Sequence, residues 1–107
     1  MKKEMKNKIV KILKEYKKRV KEKINLNKII LFGSRARGEE RKNSDVDLII
    51  VSKDFNGEKS FKRPAKFYLE WDYDYETDII CLTPEELKKK RMQIGIIQNA
   101  LKEGIEI

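Results

Sequence analysis

The chain has no histidine among its 107 residues. That absence excludes Ser-His-Asp and Cys-His catalysis, zinc sites built with imidazole, and any imidazole acid–base step. Whatever chemistry occurs must use carboxylates, hydroxyls, lysine, arginine or a hard metal ion. Cysteine is almost missing too. The single Cys81 rules out an internal disulfide and fits a reducing interior. It lies in the apolar run "DIICL", where a buried thiol is the commoner outcome and a reactive one the rarer. No stretch approaches the roughly 20 apolar residues needed to span a bilayer. The N-terminus "MKKEMKNKIVKILKEYKKRV" has no long apolar core and no small-residue cleavage site, so it does not read as a secretory signal. A cytoplasmic protein without a membrane attachment is expected.

Acidic residues are scarce at one end only. The formal net charge is +8, and residues 1–23 carry all of it, with 11 Lys and Arg against 3 Glu; residues 24–107 hold 15 of each sign. The basic character belongs to the first segment. Such a cationic helix could meet nucleic acid, an acidic partner or a membrane surface, or could simply present a solvated face.

What is present suits one domain with a modest core, since a chain of this length buries roughly two-thirds of its unfolded surface. Met5, Ile9, Ile12, Leu13, Tyr16, Val20 and Ile24 recur at three- and four-residue spacings, which predicts an amphipathic helix over 2–23. "KIILF", residues 28–32, predicts a buried strand. Gly33-Ser34 breaks it; Ser34 is suited to cap a short helical turn through "RARGEE", and Gly38 to end that turn. "DVDLIIV", residues 45–51, predicts a second strand, and "TDIICL", residues 77–82, a third. Between them, Pro64 fits the start of a helix carrying Phe67, Tyr68 and Trp71, with an irregular aromatic segment as the alternative. Thr83-Pro84-Glu85-Glu86 predicts a strongly capped helix start. That helix is expected to run through Leu87, Met92, Ile96 and Ile97 towards Leu101 and to stop at Gly104, with "IEI" as a short edge strand. The order predicts an α/β (α+β) fold: a small mixed sheet of three to four strands flanked by helices.

Asp45 and Asp47 are the unusual feature. Side chains two apart on a strand share a face and lie about 7 Å apart. Two carboxylates in a partly dry place repel each other unless a cation intervenes. Magnesium suits them, because it takes a few carboxylates, substrate phosphates and water; a solvated pair at a strand entrance, capping a turn with Ser44, is the plain alternative. Upstream, Gly33 leaves room for close approach and Ser34 offers a hydroxyl and an N–H at a helix start, a natural anion site. Arg35 and Arg37 add cationic forks, or pair with Glu39 or Glu40. A third carboxylate would complete a two-metal site. Asp72, Asp74, Glu76 and Asp78 share one parity, and Asp78, at the start of a strand, is the choice.

The stretch "GSRARGEERKNSDVDLII" resembles the signature of the DNA polymerase β-type nucleotidyltransferases: Gly-Ser, about ten residues, then Asp-x-Asp followed by apolar residues. The Ala36-Arg37-Gly38 and Ser44-Asp45 pieces, the short length and the closing "NALKEGIEI" are similar more narrowly to the minimal nucleotidyltransferases, many of which are antitoxins of HEPN-domain ribonuclease toxins. The resemblance spans roughly residues 28–107, which it marks as a catalytic core behind a basic helix over 1–24. It implies that Gly33 and Ser34 hold the phosphates of ATP, with Arg37 and Ser44 beside them. It implies also that Asp45, Asp47 and Asp78 are catalytic and bind Mg²⁺, as two ions, and that Asp78 helps activate the acceptor hydroxyl. The implied reaction moves AMP from ATP to a tyrosine of a cognate HEPN toxin, in a type VII-like toxin–antitoxin pair. Neutralisation of the partner by occlusion without catalysis, and nucleotidyl transfer to RNA held by the Lys-rich helix, are the alternatives. The aromatic-acidic stretch "FYLEWDYDYETD" could supply partner contacts or core packing, and a homo-oligomer is open.

Overall fold

A sheet of four strands in the order β3-β2-β1-β4 organises the protein. The computed structural model describes residues 2–38, 45–93 and 95–107. The first helix, α1, spans Lys2–Lys23. Ile9, Leu13, Tyr16 and Val20 are buried along one side of it, as 3.6-residue periodicity requires. Ile12, from the same predicted stripe, is only half-buried; it lies next to Leu13 and so about 100° off the line facing the sheet.

Strand β1 is Leu26–Phe32, β2 is Val46–Ser52, β3 is Thr77–Leu82 and β4 is Ile105–Glu106. β2 pairs antiparallel with β1 and parallel with β3, and β4 closes the other edge against β1. The expected central strand is therefore central. It begins one residue late, at Val46, so Asp45 stands just ahead of it.

The two faces of the sheet bury different sets. Ile29, Leu31, Leu48, Ile50, Ile79 and Cys81 meet Tyr16 and Leu13 of α1 and Phe55 and Phe67 of the connection between β2 and β3. Ile30, Ile49, Val51 and Leu82 form the second face with Leu87, joined by the half-buried Phe32, Ile80 and Leu101. Because strand side chains alternate, Asp47 shares the second face with Ile49 and Val51.

The long connection from β2 to β3 contains a helix, α3, over Ala65–Leu69, with Pro64 at its N-cap. Phe67 is buried and Tyr68 partly exposed on it, while Trp71 falls beyond its end. Both alternatives for this stretch are thus realised in turn: a short helix, then an irregular aromatic run. In that run Trp71, Tyr73 and Tyr75 are half-buried while Asp72, Asp74 and Glu76 are exposed. The Trp71 indole N–H donates to the Tyr75 carbonyl at 2.6 Å and its ring stands edge-on to Tyr16.

The final helical region differs from the expectation of one helix. Two helices occur instead, α4 over Pro84–Arg91 and α5 over Ile96–Glu103. The apolar spacing explains the break. Five residues from Leu87 to Met92 amount to 500° of helical rotation, about 140° off the buried line, and Met92 is accordingly exposed. Gly95 then disfavours continuation. The start of α4 follows the prediction, with the Thr83 hydroxyl accepting from Glu86 N–H at 3.1 Å and Glu86 returning to Thr83 N–H at 2.8 Å. Among the described residues no helix is long and apolar enough to cross a membrane.

Candidate active site

At the end of β1 the chain turns sharply at Gly33 into the four-residue helix α2, Ser34–Arg37. Ser34 is the first residue of that helix and not its cap. Gly33 holds the cap position, with φ 76° and ψ −159°, a region essentially reserved for glycine. No side chain caps this helix start. The Gly33 carbonyl accepts from Ala36 and Arg37 N–H at 3.1 and 3.2 Å, and Gly38 ends the turn in the left-handed region, as expected. A methyl group on Gly33 would overlap a carboxylate oxygen of Asp47. The glycine therefore permits two things together, the turn and the close approach of an acid to it.

Asp47 pairs in register with Phe32 on β1 and with Asp78 on β3. Neighbouring strands lie about 4.8 Å apart, so the acids of β2 and β3 stand side by side. Burial pushes the Asp47 carboxyl up to about 6, Asp78 and then Asp45 push it the same way, and Arg37 opposes them. The electrostatics thus bring Asp45, Asp47, Asp78 and Arg37 into one neighbourhood. Arg37 is also paired with Glu103 of α5 at 2.9 Å; Glu39 and Glu40, its other expected partners, lie outside the described residues. Ser44 lies outside the described residues.

The backbone between the first two acids is pinned. Val46 is buried; its N–H donates to the Glu76 carbonyl and its carbonyl accepts from the Thr77 hydroxyl, both at 2.8 Å. Arg35, 1% exposed, stacks its guanidinium 4.9 Å from the centre of the Tyr75 ring. The glycine-serine turn and the segment leading to Asp78 are thereby joined from below. Sequence reading missed Tyr75, Thr77 and Glu103, because each acts through a partner far along the chain.

The donor set suits a hard divalent cation, being carboxylate oxygens. Its spacing is open: among the described residues no group of three or more acids or thiols is gathered at metal-ligating distance. Binding by one or two carboxylates, completed by water and phosphate oxygens, is what magnesium commonly uses. A raised carboxyl between two acids is likewise what a cation relieves.

A family model described as nucleotidyltransferase domain matches residues 13–106. The chain belongs to that family. A candidate protein adenylyltransferase of Methanocaldococcus jannaschii is 32% identical to this nucleotidyltransferase over 101 residues, covering 92% of this chain and 98% of the relative. A second one from the same organism is 35% identical over 97 residues, covering 91% of each. A protein adenylyltransferase of Thermococcus cleftensis is 28% identical over 96 residues, covering 90% and 89%. Among solved structures, that of a candidate nucleotidyltransferase from Sulfolobus solfataricus superposes with a TM-score of 0.69 at 27% identity, covering 82% of this chain and 78% of that one. The nucleotidyltransferase is accordingly an enzyme of the minimal, polymerase β-like type, and the resemblance read from Gly33 to Ile50 holds.

Proposed function

We propose that this nucleotidyltransferase is a protein adenylyltransferase, moving AMP from ATP to a tyrosine hydroxyl of a cognate HEPN ribonuclease toxin and so silencing it. The observation that carries the reading is the register pairing of Asp47 with Asp78 directly beside the Gly33 turn. Relatives named as protein adenylyltransferases support a protein acceptor.

Gly33 and Ser34 receive the triphosphate, and Arg37 neutralises part of its charge. Asp45, Asp47 and Asp78 would hold Mg²⁺, which when bound supplies charge neutralisation at the phosphates and acidifies a coordinated hydroxyl. Asp78 is exposed at the sheet edge, so it meets an acceptor arriving from solvent and takes the hydroxyl proton. A bond forms between the tyrosine oxygen and the α-phosphorus. The bond between the α-phosphorus and the bridging oxygen breaks, and pyrophosphate leaves with that electron pair. Positioning and electrostatics carry the rate, as general for such transfers.

The test supplies ATP labelled at the α- or the γ-phosphate, with Mg²⁺ and the HEPN-domain protein encoded beside this one. Label from the α position alone is expected on the acceptor. Label from the γ position alone would overturn the assignment. Asp45→Asn with Asp47→Asn should abolish transfer and protection while binding persists; protection that survives both changes would establish occlusion.

A further inference from the structure

Charged side chains dominate the surface of this protein, at 41% of the sequence. Against that background Phe61 is 75% exposed and Leu69 86%. With Tyr68 they account for all but Met92 of the exposed large hydrophobic side chains among the described residues. All three share the segment from Ser60 to Leu69, where a 3₁₀ turn over Ser60–Lys62 leads through Arg63 and Pro64, both right-handed helical, into α3.

One side of this segment is buried by Arg63 and Phe67, four residues apart. Phe61, Ala65 and Leu69 follow the same four-residue step on the opposite, exposed side. An element that buries one side and leaves an apolar stripe in water on the other has a surface unexplained by its own fold. Lys59, Lys62 and Lys66 flank that stripe and line an open depression with Asp54 and Glu58. No ion pair holds any of the three lysines among the described residues.

The same segment reaches the strand that carries Asp78. The Tyr68 hydroxyl accepts from the N–H of Ile79 at 2.9 Å, the residue after Asp78. Arg63 donates to the Cys81 carbonyl at 3.2 Å. The outer edge of β3 is therefore occupied by side chains at both points, which disfavours a partner adding a strand there. A partner must bind this side through side chains.

We propose that the outward face of Ser60–Leu69 is the docking surface for the acceptor protein, and that it takes an amphipathic helix with an acidic flank. The apolar side of that helix covers Phe61 and Leu69, and its carboxylates meet Lys59, Lys62 and Lys66. Docking here seats the acceptor protein along the outer edge of β3, from which its hydroxyl passes round to Asp78, exposed at the start of that strand on the other face. The inference rests on the adenylylation reading for the identity of the occupant.

The experiment measures binding of the purified HEPN-domain protein encoded beside this one, by calorimetry. Phe61→Ser with Leu69→Ser is expected to weaken binding about tenfold or more. Lys59→Glu, Lys62→Glu and Lys66→Glu should do the same and remove its salt dependence. Affinity for ATP with Mg²⁺ should stay at the wild-type value in both variants. Should the serine variant fail to fold, the charge-reversed one carries the test. Undiminished binding in a folded variant, or no binding by the wild type, overturns the proposal. So does loss of RNA binding or of self-association in these variants with the HEPN-domain protein still held. The two readings separate cleanly. Binding that depends on Phe61 and Leu69 without transfer of α-label sustains the surface and retires adenylylation. Transfer that continues in the serine variant with unchanged KM for the acceptor does the reverse.

Discussion

Asp47 is the residue on which the site turns, and its titration is a stability statement. The carboxyl is raised from 3.8 to about 6 by burial first, then by Asp78 and Asp45. A folded-state pKa above the unfolded one means that the native protein binds the proton more tightly, so ionisation is a penalty on folding. The penalty is full above about pH 6 and vanishes below about pH 3.8. After allowance for the water that reaches this half-buried group, it is on the order of 1–2 kcal/mol. Asp47→Asn should therefore raise the melting temperature at pH 7 without Mg²⁺ while abolishing transfer. The gain should shrink as pH falls through 6 and disappear near pH 4, which thermal melts of both proteins across that range would check. Gly33→Ala should act in the opposite sense on stability. It forces a side chain into a positive-φ position and against the Asp47 carboxylate, at a cost of about 1–3 kcal/mol. Denaturant unfolding should show that loss together with lost ATP affinity, since the turn and the acid shift together.

Among the elements, β3 shows how an edge strand is kept to itself. Arg63, buried, donates to the carbonyls of Glu58 and Cys81 and to Glu86 at 2.6 Å. Its hydrogen bond is the largest influence holding the Glu86 carboxyl below its ordinary value, so that support is present at neutral pH and fades as Glu86 protonates in acid. Arg63→Ala strips a buried fork from three acceptors and should cost about 2–4 kcal/mol, read by chemical denaturation at pH 7, with a smaller difference at pH 3. None of this was legible in the sequence, where Arg63 is one of many basic residues beside a proline. The strands were legible, because β-branched runs at 28–32, 45–51 and 77–82 stand out from a charged background. So were the Thr83 cap and the Gly33 turn, whose local chemistry fixes them. What failed did so for identifiable reasons. The long C-terminal helix was read through Met92, although a five-residue step leaves the buried face. Ser34 was read as a cap from residue type, whereas the backbone conformation needed at that position admits only glycine. Glu103 was not legible as a partner of Arg37, because α5 reaches it only by folding back over the sheet; the pairing expected with Glu39 or Glu40 lies outside the described residues.

For the whole molecule the central asymmetry is electrical. The first 23 residues carry the entire net charge of +8, yet the buried contacts of α1 with the fold are made by uncharged side chains. Lys17 on the Ile107 carbonyl and Lys23 on Glu70 tie it only at the periphery. Leu13, Tyr16 and Val20 are fully buried, and Tyr16 donates its hydroxyl to the Phe67 carbonyl at 2.6 Å, tying the helix to the connection that precedes the acidic run. Lys11, Lys14, Lys18 and Lys21 are exposed on the other side of the helix. These two sides should answer differently to substitution. Leu13→Ala leaves a cavity against the sheet and should cost about 2–5 kcal/mol, lowering the denaturation midpoint and loosening the neighbourhood of Trp71, whose fluorescence reports it. Changing Lys11, Lys14 and Lys18 together to Gln should alter stability by about 0.5 kcal/mol or less per site, in the stabilising direction at low salt, because like charges crowd one helix face. A larger loss from the lysines would mean that the cationic face is part of the folded core's support. The expected pattern, a fold indifferent to the lysines and dependent on Leu13, leaves that face available for an outside charge without being required by the catalytic core.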